Sequence, residues 1–122
     1  MIKLTFCLVR RPHLTREQFQ DYWRNTHAPL VASVAETLKI RRYVQLHSLP
    51  EAASAVIRQS RDAPPEFDGV AELWFDSLET LAENGQRPEA QAAGALLLED
   101  ERKFIDLEKS PLWWGEEKPI VG

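Results

Sequence analysis

The chain has 122 residues, 43% apolar and 28% charged, which is the length and balance of a single globular domain (1–122) and excludes a disordered tract. The formal net charge is −4 and the densest basic spots are the pairs Arg10-Arg11 and Arg41-Arg42, so there is no basic stripe for a nucleic acid or an anionic membrane. Cys7 is the one cysteine; it sits in an apolar run, which excludes an internal disulfide and fits a buried, inert thiol in a reducing compartment. The opening Met1-Ile2-Lys3-Leu4-Thr5 lacks the pattern of a secretory leader, and no run approaches the roughly 20 apolar residues of a membrane span, so a cytoplasmic protein is expected.

Ile2 to Val9 is β-prone and predicts a first strand, closed by Arg10-Arg11-Pro12. Thr15-Arg16-Glu17-Gln18 reads as a capping box, and Phe19, Tyr22, Trp23 and Thr26 follow at helical spacing. Pro29 kinks or restarts this helix, whose face continues through Leu30, Val34 and Leu38. Ile40 to Leu49 predicts the second strand. Residues 51 to 68 form a looser insert, with a short helix over Glu51 to Ser60 and an irregular Pro64-Pro65. Val70 to Asp76 predicts the third strand after the Asp68-Gly69 turn. Ser77 caps the next helix, and Pro88 opens another that runs to about Lys103 with Ala92, Ala95, Leu96 and Leu98 as its apolar side. Phe104 to Glu108 is predicted as the fourth strand, followed by a tail with Trp113-Trp114. This order predicts an α+β, ferredoxin-like βαββαβ fold with an antiparallel four-stranded sheet.

Side chains alternate between the faces of a strand. One predicted face, with Leu4, Phe6, Val44, Leu46, Ala71, Leu73, Ile105 and Leu107, is apolar and is expected to pack on the helices. The other carries Thr5, Cys7, Tyr43, Gln45, His47, Glu72, Trp74, Phe104 and Asp106. So many aromatics disfavour a solvated face, and so many polar groups disfavour a dry core. A pocket on this mixed face, covered by the sheet of a second copy, satisfies both constraints. Trp113-Trp114 are expected to place at least one indole at that subunit interface.

Within that pocket His47 is the leading acid–base candidate, with Glu72 orienting it; the plain alternative is a solvated strand-end histidine. Glu72 is equally readable as a salt-bridge partner of Lys3 or Arg42. Asp106 is a second inward carboxylate. Tyr43 and Trp74 shape an aromatic wall, Thr5, Gln45 and Phe104 line it, and Trp23 is either core or pocket. His13, His27 and His47 lack metal-ligand spacing, and no Gly-rich phosphate loop is present, so no metal or other cofactor is expected.

Arg10-Arg11-Pro12, Thr15-x-Glu17-x-Phe19-x-x-Tyr22-Trp23 and His27-Ala28-Pro29-Leu30 resemble the opening of EthD-type proteins. Asp68 to Ser77 is similar to their central strand, and Glu99-Asp100-Glu101-x-x-Phe104-Ile105-Asp106 to their last helix-to-strand stretch. The resemblance implies a homodimer joined through its sheets into a dimeric α+β barrel. It also raises His27 from a helix-end cap to a candidate acid, base or hydrogen-bond donor. The wider superfamily includes cofactor-free monooxygenases, cyclases, decarboxylases and dehydratases. The expectation is therefore a cofactor-independent enzyme acting on a small hydrophobic, oxygenated, phenolic or polyketide-like molecule by dehydration, cyclisation or monooxygenation. The alternative is a non-catalytic small-ligand-binding or accessory dimer.

Overall fold

The computed structural model describes residues 1–122. Its elements are β1 (Ile2–Leu8), α1 (Arg16–Tyr22), a π-helical turn (Trp23–His27), α2 (Ala28–Leu38), β2 (Arg42–His47), α3 (Glu51–Ser60), β3 (Gly69–Phe75), α4 (Leu78–Asn84), α5 (Pro88–Phe104), a 3-10 turn (Leu107–Lys109) and β4 (Leu112–Gly115). The sheet order is β2-β3-β1-β4, with every ladder antiparallel. This is the ferredoxin-like α+β fold that the order of elements predicts. No helix is long and apolar enough to cross a membrane.

Local chemistry explains most boundaries. The Thr15 hydroxyl accepts from the Gln18 amide, and the Gln18 side chain accepts from the Thr15 N–H, which closes the capping box at the start of α1. Ser77 caps α4 by accepting from the Thr80 amide. Pro88 occupies the first turn of α5, where its missing N–H costs nothing. Between α1 and α2 the helix does not stop at Pro29. It widens into the π-helical turn, and the Ala28 amide bonds back to the Trp23 carbonyl.

The fourth strand is not where the residue types pointed. Phe104 is the last residue of α5, Ile105 makes an isolated bridge to Arg10, and Asp106 leads into the 3-10 turn. The strand beside β1 is instead Leu112–Gly115, so Trp113 and Trp114 belong to the sheet and not to a tail. The buried stripe of α5 is Ala90, Ala93, Leu97, Asp100 and Phe104, one residue out of phase with the predicted one; Leu96 and Leu98 are exposed. Phe104 packs at 5.5 Å from Phe19 and 5.0 Å from Tyr22, which holds the end of α5 against α1. Burying such an aromatic contributes about 1.5–3 kcal/mol, and that wins over the weak strand propensity of a Phe-Ile-Asp run.

The second correction concerns the phase of β2. Tyr43 pairs with Leu73, Gln45 with Ala71 and His47 with Gly69, while Leu4 and Phe6 pair with Leu73 and Ala71 from the other side. Tyr43, Gln45 and His47 therefore lie on the helix-facing side, together with the core residues Phe6, Leu8 and Ala71. Arg42, Val44 and Leu46 pair with Trp74, Glu72 and Val70 and share the open face with Lys3, Thr5, Cys7 and Trp113. Gly69 is required at its position. A Cβ there would lie 2.5 Å from Cζ3 of Trp23 and 2.8 Å from the Leu46 carbonyl, so the Trp23 ring rests directly on the sheet backbone.

Candidate functional site

An apolar cavity of about 240 Å3 lies between the sheet and the helices. At the ~30 Å3 that a liquid water occupies, that is room for roughly eight waters, or for one compact bicyclic molecule. Leu4, Phe6, Ala71 and Leu73 form its floor and Val31 and Leu97 are among its cover. Four of its lining residues carry polar chemistry: Trp23, His27, Tyr43 and Glu101. The pocket predicted on the other face, beneath a partner copy, is not where the cavity lies.

His27 closes the π-helical turn and is buried. Its Nδ1 lies 2.7 Å from Oδ2 of Asp100 on α5, and the Tyr22 hydroxyl donates to Oδ1 of the same carboxylate at 2.6 Å. An ionised carboxylate only accepts, so His27 carries its proton on Nδ1 and leaves Nε2 as a free acceptor. Nε2 makes no hydrogen bond within the chain. His27 lines the cavity, so Nε2 is the ring nitrogen left for a bound molecule. Burial holds His27 below its ordinary value, against the opposing pull of Asp100. Burial also works to raise Asp100, but the bonds from Tyr22 and His27 outweigh it and hold the carboxylate below its usual range. Tyr22 is pushed up to about 12, by burial first and then by Asp100.

Glu101, the next residue on α5, lines the same cavity. Burial, reinforced by the Asp100 charge, pushes its carboxyl up to about 7. Adjacent residues thus hold opposite states near neutral pH: Asp100 ionised and bonded, Glu101 poised to keep or give a proton.

A second polar group closes the β2 side. Gln45 Nε2 donates to the Trp23 carbonyl at 3.0 Å and to the Tyr43 hydroxyl at 2.7 Å, while Gln45 Oε1 faces His47 Nε2 at 2.7 Å. The His47 ring stacks on Trp23 at 4.5 Å. Burial first, and then Arg24, hold His47 below its ordinary value.

The candidate residues therefore divide into three groups. Trp23, His27 and Tyr43 meet at the cavity, with Gln45 and His47 behind Tyr43 and Trp23. Glu72, Trp74 and Thr5 lie on the opposite face, where Glu72 bonds Lys3 at 2.8 Å and Trp74 is flanked by Lys3 and Arg42. The expected contact between His47 and Glu72 is absent because β2 turns His47 toward the helices while β3 turns Glu72 to the open face. Phe104 packs against His27 at 5.0 Å from beneath, and Asp106 lies outside the cavity lining. Asp100 and Glu101 were not singled out from the sequence as site residues. Their clue was a carboxylate at the helical step that continues Ala90, Ala93 and Leu97. No group of three or more His, Cys, Asp or Glu is arranged to hold a metal ion.

The EthD domain model matches residues 11–108. A protein named decarboxylase from Claviceps purpurea (strain 20.1) is 25% identical over 122 residues, covering 97% of this chain and 84% of the relative. A protein named dehydratase ustZ from Ustilaginoidea virens is 26% identical over 117 residues, covering 92% and 80%. An EthD-family crystal structure from Bacillus halodurans C-125 superposes with a TM-score of 0.62 at 24% identity, over 97% of this chain and 99% of the other. A dimeric protein of ferredoxin-like fold and unknown function from Bacteroides fragilis NCTC 9343 superposes with a TM-score of 0.59 at 13% identity, over 95% of each chain. With the family model spanning most of its length, the chain belongs to the EthD family.

Proposed function

We propose that the protein is an acid–base lyase that removes water from a small, apolar, oxygenated molecule held between sheet and helices. The observation that carries this reading is the placement of an Asp100-oriented His27 and a proton-bearing Glu101 on one apolar cavity. His27 Nε2 takes a proton from the carbon next to a carbonyl. The C–H electron pair becomes a C=C bond as the C–O bond to the leaving hydroxyl breaks. Glu101 protonates that hydroxyl, and water departs. Solvent exchange then returns His27 to neutral and Glu101 to its acid form. Asp100 stabilises the imidazolium that forms in between. Loss of CO2 would use the same acid to protonate the carbanion. The names decarboxylase and dehydratase among the relatives agree with such chemistry. Dehydration is preferred to oxygenation because the site pairs a base with an acid. Every step is carried by side chains of this chain, so the reaction as proposed asks for no cofactor.

The open face of the sheet supports a homodimer. Leu46 is 58% and Trp113 51% exposed there, beside Val44 and Val70, and a dimeric structure shares the fold. Light scattering should give twice the chain mass, and Trp113→Asp should shift it to the monomer.

The reaction is tested by incubating the protein with a panel of aryl β-hydroxy ketones and following loss of water by mass spectrometry. Product formation that disappears in His27→Asn supports the reading. Tight binding of the panel with no product would favour a non-catalytic ligand carrier.

A further inference from the structure

Resting on the acid–base reading of the cavity, we infer that Tyr43 recognises the oxygen of the substrate, donating its hydroxyl proton to a carbonyl acceptor under a sense imposed by Gln45. The backbone oxygen of Trp23 can only accept a hydrogen bond, so the Gln45 atom 3.0 Å from it must be the amide nitrogen. That assignment fixes the rest. The second hydrogen of the amide points to the Tyr43 oxygen at 2.7 Å, which makes Tyr43 the acceptor in that bond. The amide oxygen is turned to His47, whose Nε2 must then be the protonated nitrogen.

With its oxygen already accepting, the Tyr43 hydroxyl keeps its own hydrogen free to donate. No other group in the chain accepts it, and Tyr43 lines the cavity. The donor chain therefore runs one way on the Tyr43 branch, from Gln45 through Tyr43 to whatever oxygen enters. Gln45 is locked by three partners, and His47 is held by its stack on Trp23, so the donor is preorganised. The rest of the lining is almost wholly apolar. A ligand that presents one acceptor oxygen on a compact bicyclic hydrocarbon frame fits this pattern, and an aryl ketone is the simplest such class. As His27 removes the neighbouring proton, the ketone oxygen gains negative charge, and the Tyr43 bond strengthens at that moment.

The test uses two probes of one shape, 1-tetralone and tetralin, with and without the acceptor oxygen. Calorimetric titration of the wild type should favour the ketone about tenfold, the worth of one hydrogen bond with a buried partner. The infrared carbonyl band of bound 1-tetralone should move to lower frequency. Tyr43→Phe should abolish both the preference and the shift while still binding tetralin, which shows that the cavity is intact. Gln45→Leu keeps the phenol but removes one of the two side chains, with Trp23, that donate to it, so the shifted band should weaken and broaden. If Tyr43→Phe loses tetralin as well, Gln45→Leu carries the test. A wild type that binds neither probe, or shows no ketone preference, overturns the proposal. So does an unshifted band, or a shift that survives Tyr43→Phe. None of these readouts needs turnover. A ketone preference that depends on Tyr43, in a protein that never dehydrates a substrate, would sink the lyase reading alone.

Discussion

Alternate residues of β2 look to opposite sides of the sheet: Tyr43, Gln45 and His47 toward the helices, Arg42, Val44 and Leu46 away from them. Hydrophobicity alone would assign these sides the other way round. On the helix side Gln45 holds Tyr43 and His47, and Asp100 holds His27, while Glu101 faces the cavity with no side-chain partner. On the open side, Lys3 and Glu72 pair where water still reaches them, and Leu46 and Trp113 are exposed. A buried polar group with a partner is held in place by it, and Glu101, which has none, is pushed toward its neutral form.

Variants on the two faces should separate accordingly. The largest effect is expected for His27→Asn, which should lower turnover by about 10³-fold, within the range for a general base, while near-ultraviolet circular dichroism shows the fold retained. A smaller loss would move proton abstraction elsewhere. Glu101→Gln comes next, at about 10²-fold. Wild-type kcat should fall at acid pH as His27 protonates below its ordinary value, and again on the alkaline side near pH 7 as Glu101 ionises. Glu101→Gln should remove the alkaline fall.

The same carboxyl leaves a mark on stability. It is neutral up to about pH 7 when folded and ionises near 4.3 in an unfolded chain. The folded state binds the extra proton in between, so this contribution is fully present below about 4.3 and is lost by pH 7. Its size is about 4 kcal/mol, measurable by urea titration across that window and absent in Glu101→Gln.

Gly69→Ala should cost about 1–3 kcal/mol in the same titration, because the added methyl collides with the Trp23 ring. If the indole simply slid aside, stability would hold and the cavity would lose its wall. The smallest effect belongs to the open face. In the monomeric Trp113→Asp background, Glu72→Gln should change stability by less than about 1 kcal/mol and leave kcat untouched, since its pair with Lys3 is then partly open to water.

Much of the fold was legible from particular residues. Thr15 and Gln18 announced α1, Ser77 and Pro88 announced α4 and α5, and Glu51 to Ser60 is the helix predicted there. Three features were not. Phe104-Ile105-Asp106 has strand-like composition, but Phe104 lies four residues after Asp100 and completes the buried stripe of α5. The phase of β2 was hidden because Val44 and Leu46 are the more apolar set and Tyr43, Gln45 and His47 the more polar. No local rule says that the polar set will find partners in a helix. The π-helical turn that carries Trp23 and His27 has no composition of its own, and it fixes where both side chains enter the cavity. His27 was reached through the family resemblance, while Asp100 was overlooked because its partner lies 73 residues away.

That same separation sets a timetable. β1 lies inside the sheet between β3 and β4, so the earliest strand to be synthesised waits for the last before both its edges are paired. At about 5–20 residues per second, the ribosome delivers Asp100 roughly 4–15 s after His27. A nascent chain carries the histidine well before it carries the carboxylate that sets its tautomer. The hydrogen-bonded pair comes into being only once α5 has emerged and docked.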